Sequence, residues 1–381
     1  MTHRPIYLDN QATTPLDPLV LEAMMPYFTE KFGNPHSAGH AYGWEAEAGI
    51  DIAREQIQTL LNAQAAEEII FTSGATEANN MAIKGVMQAY GAERRHLITV
   101  ATEHKCVLEA AKLCARAGFE LTVLDVDRQG MIDLDALNDA LSDKTALVSV
   151  MTVHNEIGVI QDMKRIADLA HQYGALLHTD AAQAFGKIPL DVTDMGIDLM
   201  SISGHKIYGP KGIGCLYKRK GVNLVPQMHG GGQEGGLRSG TLSPALCAGL
   251  GKAAEIASSA MDEDHKRIRV LSEKLLSGLK ALHPSLILNG HATQRWVGNL
   301  NISFPDIMGD QLLSHLRRVA VSSGSACSSG SGEGSYVLKC LLDDQQLIKS
   351  SLRIGIGRFT TDLEIDETLG IFSNALNKIG K

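Results

Sequence analysis

Residues 71–90 read FTSGATEANNMAIKGVMQAY. An apolar run ends at Ser73 and Gly74, and apolar residues then recur at Ala78, Met81, Ala82, Val86 and Ala89, the spacing of one helix face. Strand, tight turn and helix therefore follow one another. The first N–H groups of such a helix have no carbonyl partner. Gly74, Ala75 and Thr76, with the Thr76 hydroxyl, thus offer donors at the positive end of the helix dipole, where a phosphate is the natural anion. Taken alone, the same residues serve as an ordinary helix N-cap. The pattern is neither G-x-G-x-x-G nor a Walker loop, which disfavours dinucleotides and nucleoside triphosphates.

Outward from this stretch, short β-branched or apolar runs alternate with amphipathic segments. The runs are LITVA (97–101), LTVLDV (121–126), ALVSVM (146–151), ALLHTD (175–180) and LMSIS (199–203). Strands alternating with helices predict an α/β fold with a mainly parallel sheet covered on both faces, whose ligand gathers at the carboxyl ends of the strands. From Pro244 to Leu282 no proline interrupts a helical apolar pattern, and this segment reads as a connector into a second domain holding LNISFP (300–305) and SLRIGIGRFT (351–360). The expected division is a large domain over residues 15–260 and a smaller α+β domain over 1–14 and 261–381. Low-complexity sequence is confined to HGGGQEGG (229–236) and SSGSACSSGSGEGS (322–335).

A chain of 381 residues with 44% hydrophobic and 20% charged residues can bury a sizeable core, which excludes a disordered protein. The net charge of -8 argues against direct nucleic-acid binding. No apolar run is long enough for a membrane span, and MTHRPIYLDNQATTP lacks an apolar leader core, so a cytoplasmic location is expected. Cys106, Cys114, Cys215, Cys247, Cys327 and Cys340 form no C-x-x-C pair, so neither a disulfide framework nor a metal site is suggested. Five of them read as small core residues. Cys327, among seven serines and four glycines in residues 322–335, lies in a segment with nothing to anchor it in a core.

Two further motifs carry chemistry. In SISGHKIYGPKGIG (201–214), Lys206 follows a strand and is lodged among Ser203, Gly204 and His205. A lysine there is either a solvated charge or, if desolvated, an amine of lowered pKa able to form a Schiff base. In HTDAAQAFG (178–186), Asp180 ends a strand and is followed by Gln183. A strand-end aspartate can cap the next helix, or it can supply the counter-charge of a pyridinium nitrogen. Phosphate turn, lysine and aspartate together describe a pyridoxal 5'-phosphate site.

The sequence resembles the cysteine desulfurases of the NifS/IscS type. YLDNQATTP, GNPHS, FTSGATEANN, TEHKCVLE, NEIGVIQD, HTDAAQAFGK, SISGHKIYGPKGIG, GGGQEGGLRSGT, SSGSACSSG and SLRIGIGRFT follow in that family's order from Tyr7 to about Thr361. The resemblance implies the aspartate-aminotransferase fold (fold type I), with a seven-stranded sheet, in a homodimer. It implies Lys206 as the lysine that holds the cofactor, with Ala75, Thr76, Ser203 and His205 around the phosphate and Thr241 reaching the phosphate of the other subunit. Asp180 would pair with the ring nitrogen, His104 stack on the ring and serve the thiols as acid or base, and Gln183 lie near the phenolic oxygen. Asn155 and Arg353 would hold the substrate carboxylate, and Cys327 would receive the sulfur.

The implied reaction turns L-cysteine into alanine and leaves a persulfide on Cys327 for an acceptor protein of iron-sulfur assembly, tRNA thiolation or DNA phosphorothioation. A selenocysteine lyase or another class V enzyme is the alternative. His154 and His178 have no assigned role and read as satisfied core histidines. Gly235 stands where many members carry arginine, and His154 where asparagine is common. The sequence stops at Lys381, where some members continue in a tail that docks an iron-sulfur scaffold.

Overall fold

A computed structural model describes residues 4–323 and 334–379. Its strands are β1 (Ile6–Tyr7), β2 (Ile69–Thr72), β3 (His96–Val100), β4 (Glu120–Leu124), β5 (Thr145–Ser149), β6 (Leu176–Asp180), β7 (Leu199–Ser203), β8 (Gly214–Lys218), β9 (Ile287–Leu288), β10 (Asn299–Ser303), β11 (Val319–Ala320), β12 (Ser322–Ser323) and β13 (Ser351–Gly355). Seven of them form one sheet in the order β2-β8-β7-β6-β5-β3-β4. The pairs from β7 through β4 are parallel, while β8 runs antiparallel to both β7 and β2. This is the mainly parallel seven-stranded α/β sheet that the sequence implies. The run reading did not include β8, because GCLYK is short and follows the glycine-rich GPKGIG directly.

Every residue of β3, β5 and β7 is buried, as expected of strands covered by helices on both faces. The helix Ala75–Tyr90 shows how the pattern becomes packing. Ala78, Met81, Ala82, Ile83 and Val86 bury one stripe against Ile70, Leu97, Leu147, Leu199 and Leu216 of the sheet. Its first turn begins at Gly74, whose φ of 147° is a backbone conformation that an L side chain rarely adopts. The Glu77 carboxylate accepts from Ser73 N at 2.7 Å, closing that turn.

A second, antiparallel sheet is ordered β12-β13-β10-β9. The 39-residue helix Pro244–Leu282 serves both sheets. Its first half is rich in glycine and alanine, so that the helix Ala41–Leu61 can approach closely, and a Cβ at Gly251 would fall on Ala53. Its second half buries Ile268, Leu271, Leu275 and Leu279. Near the N-terminus, β1 pairs with β11 and Asp9 bridges to Gly355, so the chain start is tied to the second sheet. No described helix is long and apolar enough to cross a membrane, and no metal-binding cluster occurs among the described residues.

His178 and His154 are buried core residues, as their sequence positions suggest. His178 lies between Ser149 Oγ (2.8 Å) and Ser201 Oγ (3.0 Å), and burial pushes it down to about 3. His154 contacts Thr102 O at 2.7 Å and is pushed down to about 4, first by burial. Both are neutral in the folded protein at pH 7, and both gain an ordinary value of about 6.5 on unfolding. Between these values the unfolded chain binds more protons, so stability falls as pH falls from about 6.5, by at most about 1.4 kcal/mol per pH unit for each histidine. Urea unfolding is expected to show a midpoint that drops from pH 7 to pH 5, with a shallower drop in His178→Gln.

Candidate active site

The carboxyl ends of the parallel strands open onto a cavity of about 580 Å³. Asp180 is the last residue of β6 and Ser203 the last of β7, while the turn after β2 supplies Ser73 to Glu77. From the opposite side come Gln11 and Ala12 of the N-terminal segment and Arg353 of β13. The cavity therefore lies between the two sheets, and no single motif could have shown its far wall.

Each polar group in it has a definite setting. The Asp180 carboxylate accepts from Asn79 Nδ2 at 2.7 Å and from Ala182 N at 2.9 Å, which fixes it at the cavity floor. Lys206 Nζ donates to the carbonyls of Gln11 and Ala12, both at 2.7 Å. His205 lies 3.0 Å from Thr13 Oγ1. Burial first, then the charges of Lys206, Lys211 and Lys187, push it down to about 4, so it is a neutral ring at pH 7. Arg353 is almost wholly buried, donates to Asp9 Oδ1 at 2.9 Å and to Asn155 O at 3.2 Å, and leaves its Nε without a partner.

Of the residues singled out in the sequence, Ala75, Thr76, His104, Asn155, Asp180, Gln183, Ser203, His205, Lys206 and Arg353 all line this one cavity. Thr241 does not. It is exposed on the loop that precedes the long helix. Cys327 lies outside the described residues. One reading needs amending: Cys106 packs against the core but is only half-buried and also lines the cavity, with Sγ 3.0 Å from His104 Nδ1 and 3.1 Å from Asn79 Nδ2. His104 caps the helix Lys105–Arg116, and that cap turns the second helical residue toward the cavity. The spacing of one apolar stripe could not reveal this. Cys114, Cys215 and Cys247 are buried, as read, and Cys340 is half-buried.

Other contributors were not singled out. Gln11 and Ala12 belong to YLDNQATTP, and Asp9 of the same stretch holds Arg353. Glu77 lines the cavity and is paired with Arg238 at 2.7 Å, which ties the loop carrying Thr241 to the phosphate-type turn. Glu103 lies beneath, wholly buried, and burial raises it well above the usual carboxylate range.

A family model described as Aminotransferase class-V matches residues 6–368. The chain belongs to this family. Among relatives of this class V aminotransferase is a protein named cysteine desulfurase IscS from Rickettsia bellii (strain OSU 85-389), 52% identical over 377 residues, which are 98% of this chain and 92% of the relative. A solved structure titled NifS-like protein superposes with a TM-score of 0.92 at 36% identity, covering 98% of this chain and all of that one. Another, titled SspA in complex with cysteine, gives a TM-score of 0.84 at 36% identity over 93% of this chain and all of the other.

Class V aminotransferases of this kind depend on pyridoxal 5'-phosphate, and the donor set here fits that group. A carboxylate held by two donors stands at one end, and the first helical N–H groups with the Thr76 and Ser203 hydroxyls stand at the other. The half-buried Lys206 amine, held by the Gln11 and Ala12 carbonyls, lines the same cavity.

The turn at Gly74 also depends on Gly214 of β8, since a Cβ at Gly214 would fall on backbone atoms of Ile202 and Gly74. Gly214→Ala is expected to destabilise the protein by about 1–3 kcal/mol in denaturant titration. It should also weaken retention of added pyridoxal 5'-phosphate on gel filtration.

Proposed function

We propose that the protein is a cysteine desulfurase that converts L-cysteine to L-alanine and transfers the sulfur to Cys327 as a persulfide, for delivery to an acceptor protein. The observation that carries this reading is the meeting of Lys206, Asp180 and Arg353, from three distant parts of the sequence, in one cavity. The bound cofactor supplies an electron sink for the bonds of the substrate's α- and β-carbons.

The residues divide the work. The turn at Ala75 and Thr76, with Ser203 and His205, would hold the phosphate. Asp180 would keep a proton on the ring nitrogen, and Gln183 would donate to the phenolic oxygen. Arg353 grips the substrate α-carboxylate with its planar guanidinium, beside Asn155. Lys206 would hold the cofactor and, as an amine, would move the substrate's α-proton. His104 would take a proton from a thiol. The Cys327 thiolate then attacks the substrate sulfur, the carbon–sulfur bond breaks, and the carbon that lost sulfur gains a proton. Cysteine and an enzyme thiol thus become alanine and an enzyme persulfide, with atoms and electrons balanced and no external oxidant.

A second copy of the chain completes the assembly in this reading. Phe28, Phe32, Tyr42 and Trp44, close in sequence and all exposed, give that copy an apolar face to cover, and Thr241, also exposed, would reach the phosphate of that copy.

With a reductant present, purified protein is expected to release sulfide and alanine from L-cysteine, and Cys327→Ala to lose sulfide release by at least about 100-fold while keeping its bound cofactor. Wild-type sulfide release by that variant would overturn the persulfide step, and preference for selenocysteine in the same assay would favour a selenocysteine lyase. Arg353→Lys should raise the KM for cysteine by about 10- to 100-fold, because an ammonium cannot reproduce the two-pronged carboxylate contact.

A further inference from the structure

Lys187 has no part in the chemistry above, yet its setting is costly. Part of the residue remains exposed, but its ammonium is enclosed by protein. No carboxylate among the described residues pairs with it. Its one hydrogen-bond partner among the described residues is Gln183 Oε1, at 2.7 Å. The charges that bear on it are those of Lys206 and Arg353, both repulsive, and burial followed by these two pushes it down to about 7. An enclosed ammonium facing two other cations is a poor packing choice, and an uncharged side chain of similar length would fill the space at lower cost.

What the ammonium achieves is orientation. An ammonium only donates, so with Lys187 charged the atom of Gln183 that faces it is the amide oxygen. The amide nitrogen is thereby turned the other way, where it donates to Gln11 O at 2.8 Å along the cavity wall. The same carbonyl accepts from Lys206 Nζ at 2.7 Å. Lys187, Gln183, the Gln11 carbonyl and Lys206 thus form one continuous chain of hydrogen bonds. Without a donor at Lys187, the Gln183 amide could turn over and present its oxygen to the cavity. That oxygen would face the phenolic oxygen of the cofactor, acceptor against acceptor.

We propose that Lys187 is a positioning residue, which fixes the Gln183 amide so that Nε2 faces both the Gln11 carbonyl and the phenolic oxygen of bound pyridoxal 5'-phosphate. The inference rests on the cofactor reading above, and it extends that reading by assigning the residue that sets the polarity of this wall. Its local origin is simple, since Gln183 and Lys187 are one turn apart in the segment after β6.

The test uses the holoenzyme and the absorbance of its Lys206-linked cofactor, which responds to hydrogen bonding at the phenolic oxygen. Lys187→Met is expected to retain stoichiometric cofactor, to shift the absorbance maximum and its pH midpoint in the direction seen for Gln183→Ala, and to lower kcat about 10-fold with little change in the KM for cysteine. Lys187→Arg, which keeps a donor, should restore the spectrum at least in part. In a Gln183→Ala background, Lys187→Met should add no further shift. A wild-type spectrum and titration in Lys187→Met, or an undiminished effect of that change when Gln183 is already gone, would overturn the proposal while leaving the cofactor reading intact. If Lys187→Met fails to fold, a Lys187→Arg spectrum that matches Gln183→Ala overturns it equally. An unchanged spectrum in Gln183→Ala would instead strike the assignment of Gln183, and the role of Lys187 with it.

Discussion

The two hydrogen bonds from Lys206 Nζ to the carbonyls of Gln11 and Ala12 hold the centre of this molecule together. They join the end of β7, in the large sheet, to a chain segment that belongs equally to the second sheet. Around them, Thr14 N and Oγ1 donate to His205 O, Tyr208 N donates to Thr14 Oγ1, and Asp17 N donates to Tyr208 O. On the other side, Asn10 Nδ2 donates to Gly355 O and Gln11 Nε2 to Gly298 O. Residues 10–17 are therefore a strap whose backbone groups are satisfied partly by each sheet. The carbonyl dipoles of Gln11 and Ala12 help to solvate the half-buried Lys206 ammonium.

This arrangement has a chemical consequence. Carbonyl oxygens of the strap hold the Lys206 ammonium at the wall of the cavity that Asp180 and Arg353 also line. The anionic charge in the cavity is placed elsewhere. Asp180 is held at the floor by Asn79 and Ala182, and Asp9 is spent on Arg353. Burial raises Glu103 well above the usual carboxylate range. Positive charge from Lys206, Lys211 and Arg353 faces the space between, which suits a doubly anionic phosphate and a substrate carboxylate.

Much of this was legible in the chain. The buried strands are short and β-branched, and the helix of residues 75–90 has an apolar stripe, so the α/β class follows from periodicity alone. The sites at strand ends, Asp180 and Ser203, were legible because parallel strands expose their carboxyl ends together. Cys106 and Lys187 were not legible. A helical stripe assigns a side chain to a face, but the cap at His104 decides that Cys106 looks into the cavity. Nothing in GKIPL distinguishes an enclosed lysine from a solvated one. Thr241 and the exposed aromatic face from Phe28 to Trp44 show the same limit from another side, since what they meet is not contained in one chain.

By itself, the sequence determined the layered α/β architecture, the phosphate-type turn at Gly74, and the identities of the groups able to do the chemistry, because local periodicity and residue type are properties of short segments. Only the tertiary structure decided which of them meet. Arg353 reaches the cavity because β13 pairs with β10 and β12 in a sheet held against the N-terminal strap. Gln183 faces inward as a donor because Lys187 and Gln11 clamp its two ends. Such contacts join residues up to hundreds of positions apart, and they are fixed by packing and hydrogen-bond satisfaction across the whole fold rather than by any local pattern.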